Sequence, residues 1–232
     1  MGEGQGRNKK MNVITIDGPA GAGKSTIAKY LAKQLNWTYC DTGAMYRAVT
    51  LACIQNSIDL ADANAIAQEL ESIGLTFDGS SLLLNGVLLG DEIRSLEVNK
   101  HVSFVAAIPV VRKFLLKLQR QFAEKGKVIM EGRDIGSVIF PKAKYKFYLD
   151  ADLEERAQRR HLEYKKKGTE INAITLEKQI SRRDTQDYCR LDSPLIIPSD
   201  AITIDTTGLS IEDVLNKILF FFKEASNEDS HK

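Results

Sequence analysis

Eight consecutive residues near the start of the chain, Gly18-Pro19-Ala20-Gly21-Ala22-Gly23-Lys24-Ser25, fit the pattern G-x-x-x-x-G-K-[ST]. Residues of these types at this spacing bind phosphate. Glycines let backbone N–H groups crowd round an anion with no Cβ in the way, and a helix starting at the loop's end adds partial positive charge. A lysine at position 24 reaches the β and γ phosphates of a nucleotide, and a hydroxyl at position 25 is a natural ligand for the accompanying Mg²⁺. The candidate donor-binding residues are therefore Gly18, Pro19, Ala20, Gly21, Ala22, Gly23, Lys24, Ser25 and Thr26. By itself this loop does not separate a kinase from a GTPase switch or an ATPase.

Such a loop works only between a strand and a helix, and the flanking sequence supplies both. Val13-Ile14-Thr15-Ile16 reads as a short buried strand. The stretch from Thr26 to Leu35 reads as a helix with Ile27, Tyr30, Leu31 and Leu35 on one face. Further strand-like runs at Thr38–Cys40, Lys127–Glu131, Tyr145–Asp150 and Ala201–Asp205 alternate with helical patterns, which predicts an α/β fold with a five-stranded parallel sheet flanked by helices. Four of those five strands run straight into Asp17-Gly18, Asp41-Thr42-Gly43, Glu131-Gly132-Arg133-Asp134 and Asp150-Ala151-Asp152. Ligands of parallel sheets gather at the carboxyl ends of strands, so these segments should meet round one cleft. Two stretches interrupt the alternation. Leu75–Asp78, Leu82–Leu84 and Val87–Leu89, with Asn85-Gly86 between the last two, predict a small antiparallel β insert. From Asp152 to Gly168 a helix capped by Asp152 carries Arg156, Arg159, Arg160, Lys165, Lys166 and Lys167.

Composition narrows the setting. The 232 residues suit one domain with inserts, and Lys+Arg 32 against Asp+Glu 31 leaves a net charge of +1, so no whole-molecule field recruits nucleic acid or a membrane surface. Cys40, Cys53 and Cys189 are odd in number and far apart, which argues for a reducing compartment and against a zinc site. No apolar run is long enough to span a bilayer. A soluble cytoplasmic protein is expected, monomeric by default, with residues 1–11 a flexible extension, 12–225 a single domain and 226–232 a polar tail.

Other residues have chemistry available but an ambiguous setting. Arg47 falls one turn into the helix opened by Asp41-Thr42-Gly43, facing the same crevice as the loop, where an ion pair or a phosphate contact are both open readings. In Glu131-Gly132-Arg133-Asp134-Ile135-Gly136 a strand ends in acids and an arginine between glycines, which suits close approach to a ligand or a salt-bridged turn. Arg183, Asp187 and Arg190 share one helix face, as an intrahelical ladder or as a clamp. Arg156 and Arg160, spaced i and i+4, can act together on phosphate. Lysines 165–167 read as a solvated surface, and Ser103 and Arg112 carry no signal of their own.

Taken in order, Ile16-Asp17-Gly18-Pro19, Asp41-Thr42-Gly43-Ala44-Met45-Tyr46-Arg47, the β insert and Gly132-Arg133-Asp134-Ile135-Gly136 resemble bacterial cytidylate kinases, from about Asn12 to about Leu219. The resemblance implies a nucleoside monophosphate kinase fold of the P-loop class, with a monophosphate-binding region over about 42–125 that holds the insert at about 74–95, and an arginine-rich helical lid over about 152–172. It implies that Arg47, Arg133 and Arg190 hold the acceptor phosphate, that Ser103, Arg112 and Asp134 read cytosine, and that Arg183 and Asp187 hold the ribose. Thr42 stands where some relatives have serine and counts among the substrate-binding residues. Lys24, Arg133, Arg156 and Arg160 would stabilise the migrating phosphoryl group, with Ser25 on the metal. The implied reaction is Mg²⁺-dependent transfer from ATP to CMP or dCMP, giving CDP or dCDP. No general base is needed, because the attacking atom is already an ionised phosphate oxygen and the work is positioning and charge neutralisation. The alternatives are a kinase for UMP or another small acceptor, and a GTP-dependent switch. For the switch, Asn99-Lys100-His101-Val102 lacks the required acid, and Asp205-Thr206-Thr207-Gly208 falls in the wrong chain order.

Overall fold

The computed structural model describes residues 12–230 apart from 125 and 167, so the expected extension at 1–11 lies outside the described residues. In chain order the first elements are β1 (Val13–Asp17), α1 (Lys24–Leu35), β2 (Thr38–Asp41), α2 (Thr42–Gln55), α3 (Ala63–Ser72), β3 (Leu75–Asp78), β4 (Ser81–Leu84) and β5 (Val87–Leu88). After these come α4 (Leu96–Val105), α5 (Pro109–Glu124), β6 (Val128–Glu131), β7 (Tyr145–Asp150), α6 (Leu153–Lys166), α7 (Ala173–Cys189), β8 (Ile202–Asp205) and α8 (Ile211–Ser230). The last helix runs through five of the residues read from sequence as a polar tail.

The three inner strands of the main sheet, β6, β1 and β7, are buried on both faces, whereas the edge strands β2 and β8 are only partly covered. Five strands pair in parallel in the order β2-β6-β1-β7-β8. Ile14 and Ile16 of β1, Ile129 of β6 and Leu149 of β7 face Ile27 and Leu31 of α1 and Ile218 of α8. On the opposite face Cys40, Val128 and Met130 meet Met45 and Val49 of α2 and Leu115 and Phe122 of α5. Tyr30 departs from the sequence reading, being 53% exposed. At about 100° per residue it lies well round from the stripe made by Ile27, Leu31 and Leu35.

Register aligns the strand ends that matter. Asp41 lies beside Glu131, and Asp17 beside Tyr148. The carboxyl end of β1, in the middle of the sheet, is thus flanked by the ends of β6 and β7, with β2 one strand further out. The insert forms a separate antiparallel sheet, β3-β4-β5. Its Asn85-Gly86 turn has φ of 50° and 81°, the paired positive values that a type I′ hairpin requires. Phe77 on β3 packs 4.3 Å from Phe122 of α5, which fixes the insert to the core.

One position in the loop tolerates no side chain. Gly18 has φ +142°, and a Cβ there would come 1.9 Å from the carbonyl oxygen of Leu149 in the neighbouring strand. Gly18→Ala is therefore expected to cost about 3 kcal/mol or more, a fall in melting temperature of roughly 6–12 °C for a chain of this size. Thermal unfolding of the purified variant checks this, and melting together with wild type would contradict it.

Candidate active site

The loop's chemistry starts from an uncapped helix. Four other helices have a side chain at the N-terminus accepting backbone N–H groups, namely Asp41 for α2, Asp62 for α3, Ser95 for α4 and Asn172 for α7. At α1 the cap is Gly23, which has no side chain to offer, so the first-turn N–H groups stay open to an anion. Lys24, only 5% exposed, folds back and donates from Nζ to the Pro19 carbonyl at 2.6 Å. Burial, then the cations Arg133 and Arg183, push its pKa down to about 7 against the pull of Glu131 and Asp17. An ammonium this poorly accommodated has its charge best satisfied by a ligand.

Beside the loop, Ser25 Oγ donates to Glu131 Oε1 at 2.5 Å, and Tyr39 OH donates to the same oxygen at 3.2 Å. Burial raises the pKa of Glu131, and Asp41 adds to the effect. Asp17 accepts from the backbone N–H groups of Ile135 and Gly136 at 2.9 and 2.7 Å, tying the end of β1 to the π-helical turn Ile135–Ile139 that follows β6. Among the described residues no three His, Cys, Asp or Glu side chains converge as a metal cage. A hydroxyl and one carboxylate beside a phosphate loop are nonetheless a fitting donor set for Mg²⁺, which keeps several waters and takes most of its other ligands from phosphates.

Near the loop lies a group of cations crowded by one another as well as by carboxylates. Arg47 is 6% exposed with Nη1 unpartnered. Burial and then Arg183 and Arg94 lower its pKa to about 9, with Arg160 adding to the repulsion. Arg183, whose Nε is also unpartnered, is held down to about 10 by burial and then by Arg133, with Arg160 contributing. Lys24, Arg47, Arg133, Arg160 and Arg183 thus lie within electrostatic reach of one another, interleaved with Asp41, Glu131, Asp184 and Asp187, which offset the repulsion only in part at Lys24, Arg47 and Arg183. Buried like charges are costly, and a polyanion among them removes the cost.

Two ion pairs border this cluster on the far side. Arg133 Nε donates to Asp187 Oδ2 at 2.9 Å. Burial opposes both charges of that pair, but Asp187 and Glu131 hold Arg133 above its usual pKa while Arg133, Arg183 and Arg190 hold Asp187 below its own. The second pair is Arg112 with Asp134, joined Nη2 to Oδ2. Arg112 also donates from Nη1 to the Ala106 carbonyl at 3.0 Å and leaves Nε without a partner. Burial works against its charge, yet Tyr46 and Asp134 keep it charged. Arg190 stands 3.7 Å from Asp134 Oδ1 and 3.5 Å from Asp187 Oδ1, so it links the two pairs. Ser103 is half-buried on α4, a helix that packs against α7.

Not every expected residue faces the cleft as a free donor. Thr42 Oγ1 donates to the Glu131 carbonyl at 2.7 Å, so its hydroxyl proton is already engaged. Arg156, expected alongside Arg160 on the donor phosphates, lies behind the loop: Nε donates to the Ala151 carbonyl, and Nη1 to the Ala20 carbonyl and to Asp184. Only Arg160 of that couple stays near the cation cluster, with Glu163 3.2 Å away as its partner. Asp17 and Glu131 are marked in the sequence only as the ends of strands at the cleft, and nothing local marks Asp184.

A parallel sheet of this order, a phosphate loop between its first strand and helix, and a cationic cleft at the strand ends define a kinase of the P-loop class with the nucleoside monophosphate kinase fold. Residues 14–224 match the cytidylate kinase family, and the chain belongs to it. A cytidylate kinase from Alkaliphilus oremlandii is 50% identical over 210 residues, 90% of this chain and 97% of that one. Its counterpart from Caldanaerobacter subterraneus is 49% identical over 205 residues, 88% of this chain and 92% of that one. A solved structure of an uncharacterized protein from Eubacterium ventriosum aligns with 93% of this chain and 99% of its own, with a TM-score of 0.52 and 14% identity, a likeness of fold alone.

Proposed function

We propose that this protein transfers the γ-phosphoryl group of ATP to CMP or dCMP with Mg²⁺. The observation that carries the reading is the phosphate loop with its buried Lys24, set beside the buried and incompletely partnered Arg47 and half-buried Arg183 and facing the Arg112–Asp134 pair. The loop from Gly18 to Thr26 binds the donor's phosphates. Arg47, Arg133 and Arg190 hold the acceptor phosphate, assisted by the backbone at Thr42 where α2 begins. Arg183 and Asp187 hold the ribose, and Ser103, Arg112 and Asp134 hold the base. Ser25 and Glu131 would hold Mg²⁺, which would supply positive charge to offset that of the donor's phosphates. Lys24 leaves the Pro19 carbonyl to follow the migrating group. The segment over about 152–172, with helix α6, acts as the lid, and Arg160 comes down on the transferring phosphoryl group as water is excluded.

The test is ADP formation from Mg-ATP with CMP, dCMP, UMP, AMP, GMP or no acceptor. Turnover is expected with CMP and dCMP. Equal turnover with UMP would favour another pyrimidine kinase, and ADP release without acceptor would favour an ATPase.

The depressed pKa of Lys24 gives a second test. Without nucleotide the side chain is largely neutral above pH 7; beside a polyphosphate it becomes an ammonium again. Donor binding at pH 8 is therefore expected to take up as much as about one proton, and affinity to weaken as pH rises above 7. Calorimetric titration of ATP in buffers of different ionisation enthalpy measures the uptake. Binding with no proton uptake would contradict it.

A further inference from the structure

The phosphate loop is held from behind by a buried ion pair that its own sequence does not reveal. Arg156 on α6 and Asp184 on α7 are 7% and 6% exposed and bond each other. Between them they take both polar groups of Ala20. The Ala20 N–H donates to Asp184 Oδ1 at 3.1 Å, and the Ala20 carbonyl accepts from Arg156 Nη1 at 3.0 Å. Ala20 is itself 4% exposed, so without the pair those two groups would be left buried and unbonded. The peptide linking Pro19 to Ala20 is then gripped at both ends, its carbonyl by Lys24 and its N–H by Asp184. Gly21 presses directly on α6, where a Cβ would stand 3.0 Å from the Cβ of Arg156.

We infer that the Arg156–Asp184 pair positions the donor loop and couples it to helices α6 and α7. This rests on the donor-loop reading above, and the pair acts through Ala20, with no contact to substrate of its own. Asp184 sits between Arg183 and Asp187 on α7, so a helix that carries acceptor-side groups also carries the carboxylate that holds the loop. The pair turns the polar groups of Ala20 away from the anion site, leaving the N–H groups further along the loop to face phosphate. A shift of α6 or α7 is transmitted to the loop and to the resting place of Lys24.

Replacing a buried ion pair by apolar residues of similar volume is often neutral for folding, whereas removing one partner is not. The double variant Arg156→Met with Asp184→Leu therefore separates stability from positioning. It is expected to stay folded, melting lower only by what the two unbonded Ala20 groups cost, and to lose about 10²-fold in kcat, the effect of misplacing reacting groups by about 1 Å, with KM for ATP raised and KM for CMP near the wild-type value. Wild-type kinetics, or a KM for CMP that rises in step with that for ATP, would overturn the inference. Should the double variant fail to fold, Asp184→Asn decides. It keeps an oxygen for the Ala20 N–H but releases Arg156, so a lower kcat at unchanged KM for CMP is expected, and wild-type kinetics would overturn the inference equally. Lys24→Met serves as the control: if it too is fully active, the donor-loop reading fails, whereas if it alone is inactive, only the positioning role fails.

Discussion

Lys24→Met is expected to abolish turnover while the fold survives. The methionine keeps most of the side-chain volume and loses the only lysine charge at the loop, where cations that stabilise phosphoryl transfer contribute ~10³–10⁵ in kcat. Loss of stability is not expected to explain the effect. Lys24 is a destabilised ammonium in the folded protein, pushed down by burial and by Arg133 and Arg183, and its one hydrogen bond goes to the Pro19 carbonyl. Removing it frees a disfavoured buried cation but leaves the Pro19 carbonyl without its donor, so the variant should melt close to wild type. A Lys24→Met protein with native circular dichroism and more than about a tenth of wild-type kcat would contradict the role given to this residue.

The second large effect concerns the base. Cytosine offers acceptors at O2 and N3 and a donor at N4, whereas uracil offers a donor at N3 and an acceptor at O4. A guanidinium only donates and a carboxylate only accepts. The ion pair uses Arg112 Nη2 and Asp134 Oδ2, which leaves Arg112 Nε buried without a partner and Asp134 Oδ1 approached at 3.7 Å by Arg190. Against cytosine these atoms are complementary, and against uracil they would face like partners after desolvation. Sites built on such pairing reach ~10⁴–10⁵ in discrimination, and roughly 10² or more in kcat/KM is expected here for CMP and dCMP over UMP. AMP shares the acceptor and amino pattern on its pairing edge and is excluded by size. Asp134→Ala should erode the preference for CMP over UMP. Equal kcat/KM for CMP and UMP in the wild type would remove the roles of Ser103, Arg112 and Asp134 and leave the kinase reading standing.

The sequence made the main sheet legible because its signals are local. Apolar runs ending in Asp17, Asp41, Glu131 and Asp150 gave strands within a residue of those observed, and Asn85-Gly86 marked its hairpin through backbone chemistry that no distant contact alters. The phosphate loop was legible for the same reason. What stayed hidden is tertiary. The charges on α7 read as either a ladder or a clamp, and the fold resolves them: Asp187 bonds Arg133 from another element, while Arg190, at the helix end, contacts both Asp187 and Asp134. Arg156 and Arg160 looked equivalent at i and i+4, yet 100° per residue brings them to neighbouring, not identical, directions. One meets Asp184 and Ala20 in the interior, and the other stays at the cleft. Nothing in the sequence marks that the Thr42 hydroxyl donates to the β6 carbonyl beside it.

The central claim is that the terminal phosphoryl group passes directly from ATP to CMP within this cleft. Incubating the protein with Mg-ATP labelled in its γ-phosphate and unlabelled CMP, then separating the products, tests this most directly. The label is expected in CDP, in step with the ADP formed, with little free phosphate. Label released as inorganic phosphate, or ADP formed while CMP stays unphosphorylated, would contradict the account.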